Sequence, residues 1–158
     1  MVNVLKLYHQ ALKLPFGKHV FSFLFCLKAP YFRTIRPLVR DVRKNSASVR
    51  VKQHWGIQNH IQTVHAIAVC NLVEMTMGLV AEASIPPHLR WLPKGMDISY
   101  LKKCTGELTA TANIPDNFFE LEKYPGDVHV PVDVCNADGV VVTSAKVCLY
   151  ISEKPTKK

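Results

Sequence analysis

One carboxylate interrupts the most apolar run of this sequence. From Val64 to Val80 the chain reads VHAIAVCNLVEMTMGLV, and Glu74 is the only acidic residue between Asp41 and Glu82. A helix that is apolar all round is normally a buried helix. An ionised carboxylate on it is costly unless it is paired, hydrogen-bonded or neutralised by a raised pKa. The chemistry open to such a group is that of a general base toward water or of a direct nucleophile. The structural alternative is a carboxylate that bonds backbone, or Asn71 across an interface.

The elements that position Glu74 follow from periodicity. SASVRVKQHW alternates Val49 and Val51 with Arg50 and Lys52, as on a half-buried strand. A long apolar helix is expected over about 64–83, stopped by SIPPH, because proline cannot continue a helix. RWLPKGMDISYLKK, GELTATANI, DVHVPVDVC and VVVTSAKVCLYIS then read as strands, and NADG at 136–139 joins the last two as a hairpin. One strand, one buried helix and a run of antiparallel strands make an α+β fold in which a sheet covers a helix.

Residues 1–45 form a separate basic, helical N-terminal extension in this reading, broken at Pro15-Phe16-Gly17, Pro30 and Pro37. The main domain covers 46–153, and 154–158 form a flexible tail. Of 158 residues, 48% are hydrophobic and 20% charged, the balance of an ordinary globular protein. The net charge of +8 is localised, since residues 1–60 hold eleven Lys/Arg against Asp41 alone and the rest sum to −2. Val4, Leu5, Tyr8, Ala11 and Leu12 recur at helical spacing. That segment packs on the main domain, or residues 1–28 make peripheral contact with an anionic membrane surface or bind a hydrophobic ligand. RTIRPLVRDVRK is either a phosphate-attracting patch or a solvated basic face. No aromatics interleave with these cations on a strand platform, so nucleic acid is not an expected partner.

Five cysteines, odd in number and without CxxC spacing, speak against a zinc site or a disulfide framework. They fit a reducing, cytoplasmic setting. HVFSFLFCL is too short to span a bilayer and lacks a cleavage site, so no signal peptide is expected. His60 and His65 have no partner set for a metal, and none is expected.

The order of elements resembles the hotdog fold, a curved antiparallel sheet around a central helix. Asn59, QTVH at 62–65 and Glu74 carry the resemblance: six positions separate Asn59 from His65 and nine separate His65 from Glu74. Hotdog acyl-CoA thioesterases of the phenylacetate-pathway type show Asn, a His-Gly-Gly and an Asp or Glu at these spacings. MDISYLKK is similar to the strand after their helix, and RWLPKGM resembles a less studied branch of tetrameric acyl-CoA thioesterases. The likeness covers about 46–153. It implies an acyl-CoA substrate, with coenzyme A as part of the substrate and no other cofactor. Glu74 would activate water or attack the thioester. The backbone N–H of Ala66 would form the oxyanion hole, and Asn59 and His65 would complete the site. Two departures stand out. Ala66-Ile67 replaces Gly-Gly, narrowing the approach to that N–H, and Pro93 falls where some relatives carry a hydrogen-bonding Ser or Thr.

Each residue has a plainer role open to it. Asn59 is a turn residue or a site residue, His65 a helix-start residue or a direct participant, and Thr63 an N-cap. Cys70 is packing. Arg90, Lys94, Lys102 and Lys103 either attract coenzyme A phosphates or sit as solvated strand ends. Nine residues along a helix turn through about 180° and rise roughly 13 Å, so His65 and Glu74 cannot meet across one helix. A site using both draws one from a second subunit, and the expected assembly is a homodimer or homotetramer. The alternative from another class is a non-catalytic acyl-CoA or fatty-acyl binding protein; a hotdog dehydratase is a third.

Overall fold

The apolar run forms the central helix its composition calls for. In the structure, a computed structural model describing residues 3–155, helix α3 spans Ala66–Ser84. It ends as expected at Ile85, ahead of two prolines. α3 is long and apolar enough to cross a bilayer, yet most of it is buried. Residues 1–2 and 156–158 lie outside the description, and with them parts of the expected N-terminal segment and tail.

Six strands surround α3: β1 (Leu38–Arg43), β2 (Ser46–Lys52), β3 (Leu89–Tyr100), β4 (Glu107–Asn113), β5 (Gly126–Cys135) and β6 (Val141–Glu153). They form one antiparallel sheet in the order β1-β2-β4-β5-β6-β3. This is the α+β hotdog arrangement, with the helix against β1, β2, β4 and β5. Alternation does the work on β2 and β4, where Ala47, Val49 and Val51 stand opposite Ala112, Ala110 and Leu108, all buried. The β5–β6 hairpin turns at the expected place. Asn136 Oδ1 accepts the N–H groups of Asp138 and Val140, and Gly139 supplies the left-handed residue at φ 76°.

The N-terminal segment is not all helical. α1 (Val4–Ala11), α2 (Gly17–Lys28) and a short 3-10 helix (Pro30–Ile35) are followed by β1, which belongs to the sheet. A register shift between Val39 and Asp41 explains why 38–43 does not read as a strand. It places the buried residues Val39 and Val42 three apart, a helical spacing.

α1 and α2 are anchored to β1 by buried side chains. Tyr8 meets Phe21 edge to face at 5.0 Å and donates through its hydroxyl to Arg40 O at 3.0 Å. Gly17 lies so close to α1 that a Cβ there would come 2.1 Å from Ala11 O. Ser22 Oγ accepts the N–H of Val39 at 2.8 Å and donates to Lys18 O at 2.6 Å. Ser22→Ala leaves that buried N–H unsatisfied, at a cost of about 1–3 kcal/mol. The expected fall in Tm is roughly 3–10 °C; an unchanged Tm would show that the bond is dispensable.

Candidate active site

Glu74 is not buried. Its flank of α3 is open in the single chain, and the carboxylate is exposed. The four ion pairs among the described residues do not include it. This corrects the expectation drawn from an all-round apolar helix. α3 is covered by the sheet on one side and by the 3-10 helix and α1 on another, and the row of residues 70, 74 and 78 escapes them.

The position of that row is defined by its neighbours. Residues four apart lie above one another on a helix. Cys70 Sγ is 3.1 Å from Tyr100 Oη, a Cβ added at Gly78 would sit 3.7 Å from the Trp91 ring, and Trp91 Nε1 donates to Glu82 Oε1 at 3.0 Å. Tyr100 and Trp91 are both on β3. Glu74, between Cys70 and Gly78, therefore stands at the seam of α3 and β3.

β3 is an edge strand twelve residues long, paired on one side only, with β6. Leu92, Pro93, Lys94 and Gly95 are exposed in succession, and the register shifts between Pro93 and Gly95. A long open edge is a template for pairing with another chain.

The start of α3 gathers a second set of groups. His65, not Thr63, is the N-cap: its Nδ1 accepts the N–H of Ile67 at 3.1 Å, and its carbonyl accepts that of Val69. The lone pair on Nδ1 used in this way assigns the ring proton to Nε2. The N–H of Ala66 keeps no partner among the described residues, as expected of a first-turn donor. Thr63 is occupied elsewhere. Asn59 Oδ1 accepts the N–H groups of Ile61 and Thr63, and its Nδ2 donates to Thr63 Oγ1 at 2.8 Å. Asn59 thus holds the loop that leads into the helix.

The four candidate phosphate-binding cations fall into two groups. Lys102 and Lys103 lie in the loop after β3, which docks beside the helix start where Val64 N–H donates to Cys104 O at 2.8 Å. Arg90 is near the opposite end of β3 and Lys94 at its middle, roughly 30 Å and 20 Å from Tyr100 at the rise of a strand. Arg90 donates to Ser152 Oγ, and Lys94 pairs with Asp127 at 2.5 Å. One chain brings together Asn59, His65, Ala66, Lys102 and Lys103, and leaves Glu74, Arg90 and Lys94 apart from them.

Two further features sit at this end of α3. Tyr100 Oη donates to Ala66 O at 3.1 Å while touching Cys70 Sγ. Burial above all, and then the bond to Cys70, raise its pKa well above the usual tyrosine range, so it remains a donor. A cleft of about 230 Å³ opens between Tyr31, Thr34, Gly56, His65, Ile67 and Asn71. Asn71 is 4% exposed; its Nδ2 donates to Thr34 Oγ1, and its Oδ1 has no partner among the described residues. The sequence reading treated Asn71 only as a possible partner for Glu74. Asn71, like Glu74, is a polar side chain on an otherwise apolar helix. A groove of about 490 Å³ beside Trp55, Gln58, Asn59 and Gln62 flanks the same loop. Among the described residues no cluster of three or more His, Cys, Asp or Glu could hold a metal ion.

Comparisons with known proteins agree with this architecture. The family described as Domain of unknown function (DUF4442) matches residues 17–151. The structural-genomics protein APC5556 is 32% identical and superposes with a TM-score of 0.82 over 97% of this chain and 100% of its own. PA5026 of Pseudomonas aeruginosa, a protein of unknown function described as a probable thioesterase, is 16% identical, with a TM-score of 0.77 over 89% of this chain and 97% of its own. A thioesterase of Staphylococcus aureus, SAV0944, is 14% identical, with a TM-score of 0.66 over 77% of this chain and 98% of its own. At these identities the last two establish the hotdog fold alone. No curated protein matches the chain.

The cap geometry yields a direct test. His65→Ala removes the acceptor for Ile67 N–H and should cost about 1 kcal/mol, lowering Tm by roughly 2–4 °C. His65→Ser should restore most of the loss. Equal melting temperatures for the two variants would rule out a capping role.

Proposed function

Because the chain belongs to the DUF4442 family and carries the hotdog fold, we propose that it hydrolyses acyl-CoA thioesters at a site shared by two copies of the chain. The observation that carries this reading is Glu74, an exposed carboxylate on an otherwise apolar helix, at the seam beside an unpaired edge strand. Its spacing from His65 and Asn59 supports the assignment, as do relatives of the same fold described as thioesterases.

The chemistry divides between the two copies. Glu74 of one copy takes a proton from water as the oxygen bonds to the thioester carbon. The oxyanion that forms lies against the N–H of Ala66 in the other copy, where a helix N-terminus favours negative charge. Collapse of the tetrahedral intermediate breaks the C–S bond, and the thiolate recovers the proton from Glu74. Attack by Glu74 on the carbonyl carbon, followed by hydrolysis of the anhydride, uses the same groups. Asn59 spends Oδ1 on its loop and one Nδ2 hydrogen on Thr63, leaving the second Nδ2 hydrogen for substrate or water.

Two-fold pairing along β3 sets the strands antiparallel, so the Arg90 end of one copy lies beside the Lys102 end of the other. Arg90, Lys102 and Lys103 then converge on coenzyme A phosphates. Lys94 contributes less, because Asp127 already counters its charge.

One observation favours a pure acyl-CoA binder as the second reading. Ile67 is 56% exposed at the helix start, where Gly in relatives leaves room for a carbonyl. Turnover separates the two readings, since a binder protects the thioester.

Two outcomes are expected. Light scattering at micromolar concentration should give the mass of a dimer or larger, and a strictly monomeric yet active protein would exclude a shared site. Glu74→Gln should lower turnover by about 10²–10⁴-fold with little change in acyl-CoA affinity. Because the carboxylate is exposed, Tm should move by no more than about 2 °C, the scale of a surface substitution. Full activity in a folded Glu74→Gln protein would overturn the mechanism.

A further inference from the structure

We propose that the outward face of α2 docks the protein on an anionic lipid bilayer. This rests on the N-terminal helices alone and holds whether or not the site at α3 hydrolyses thioesters. At about 100° per residue, Val20, Phe23, Leu24 and Leu27, with Phe16 at the helix start, fall within an arc of roughly 100°. That arc points away from the core residues Phe21, Ser22 and Cys26 of the same helix. Phe23, Leu24 and Leu27 are each more than half exposed, and Phe16 is 81% exposed. An outward helix face is normally polar; this one is a stripe of large apolar side chains.

Charge identifies the occupant. Residues 1–40 hold seven Lys/Arg and no acidic residue. Lys28 falls about 40° from Leu24 at the edge of the stripe, and the Arg33 guanidinium lies 6.0 Å from the centre of the Phe23 ring. Cations at the margin of an apolar helix face are what an interfacial helix presents to anionic headgroups. A second copy is the poorer fit, because two-fold contact through this face would set like charge against like. Phe16 adds an independent sign. It is held at φ 56°, a left-handed conformation unfavourable for a bulky residue, and that conformation presents its ring to the outside.

The test uses the full chain and sedimented vesicles of phosphatidylcholine, with and without about 20 mol % phosphatidylserine. The protein should partition onto the anionic vesicles and not onto the neutral ones. Raising salt from about 0.1 to about 0.5 M should weaken partition at least tenfold. Leu24→Glu with Leu27→Glu should also lose about tenfold or more, and Tm should hold because neither side chain packs on the core. Should that variant misfold, Lys28→Glu with Arg33→Glu must lose vesicle binding in its place. The proposal fails if the protein shows no preference for anionic vesicles, or if a folded variant binds them like the wild type. It fails too if the Leu variants change the mass in light scattering while leaving vesicle binding intact, which would assign the stripe to a second copy.

Discussion

An apolar helix in water has to be covered, and α3 is covered by one sheet, one short 3-10 helix and α1. Val69, Leu72, Val73, Met75, Met77, Leu79, Val80 and Ala81 are all buried by that cover, and burial of such side chains is the dominant favourable term in folding. The sheet curls to provide it, and the inward faces of β2 and β4 are small or branched residues that let the helix approach closely. What remains uncovered is set by geometry and not by local polarity. The six-stranded sheet does not close, since its edges β1 and β3 do not pair with each other, and one flank of the helix stays open. Glu74, Cys70 and Gly78 lie along it.

The same constraint explains which polar groups stay accessible. The start of α3 must emerge from under the sheet, and the loop that delivers it is held by Asn59 and closed by Val64 against Cys104. Orphan donors, a histidine cap and two lysines collect there. The open flank, meanwhile, carries the carboxylate. Helix length keeps these two sets apart within one chain. The open edge of β3, a strand of twelve residues, runs alongside.

Much of this was legible in the sequence, and the exceptions have identifiable causes. The helix, the four strands after it and the turn at 136–139 follow from hydrophobic period and turn chemistry, which are local. β1 was hidden because a register shift gave its buried valines a helical spacing. His65 was hidden as a cap because Thr63, the better capping residue, is taken by Asn59 four residues earlier. The exposure of Glu74 was hidden for a different reason. In a helix apolar on every side the sequence carries no phase, so no pattern says which flank the sheet leaves bare. The spacing of Asn59, His65 and Glu74 was visible, but the burial of each was not.

The position of β3 in the sheet also bears on how the chain is made. β3 pairs only with β6, yet Tyr100 at its end precedes Val141 by about forty residues. At about 5–20 residues per second, the ribosome takes a few seconds to supply the missing neighbour. During that interval β1, β2 and β4 can already pair with one another around α3, while β4 still waits for β5 on its other side. β3 waits with both edges bare, a twelve-residue segment containing Trp91, Leu92, Ile98 and Tyr100. Neighbouring nascent chains on one message hold the same strand at the same stage. Lys94 and Pro93 at its middle, where the register shifts, are then useful before any site exists, since charge and proline discourage unfolded strands from zipping together at random register.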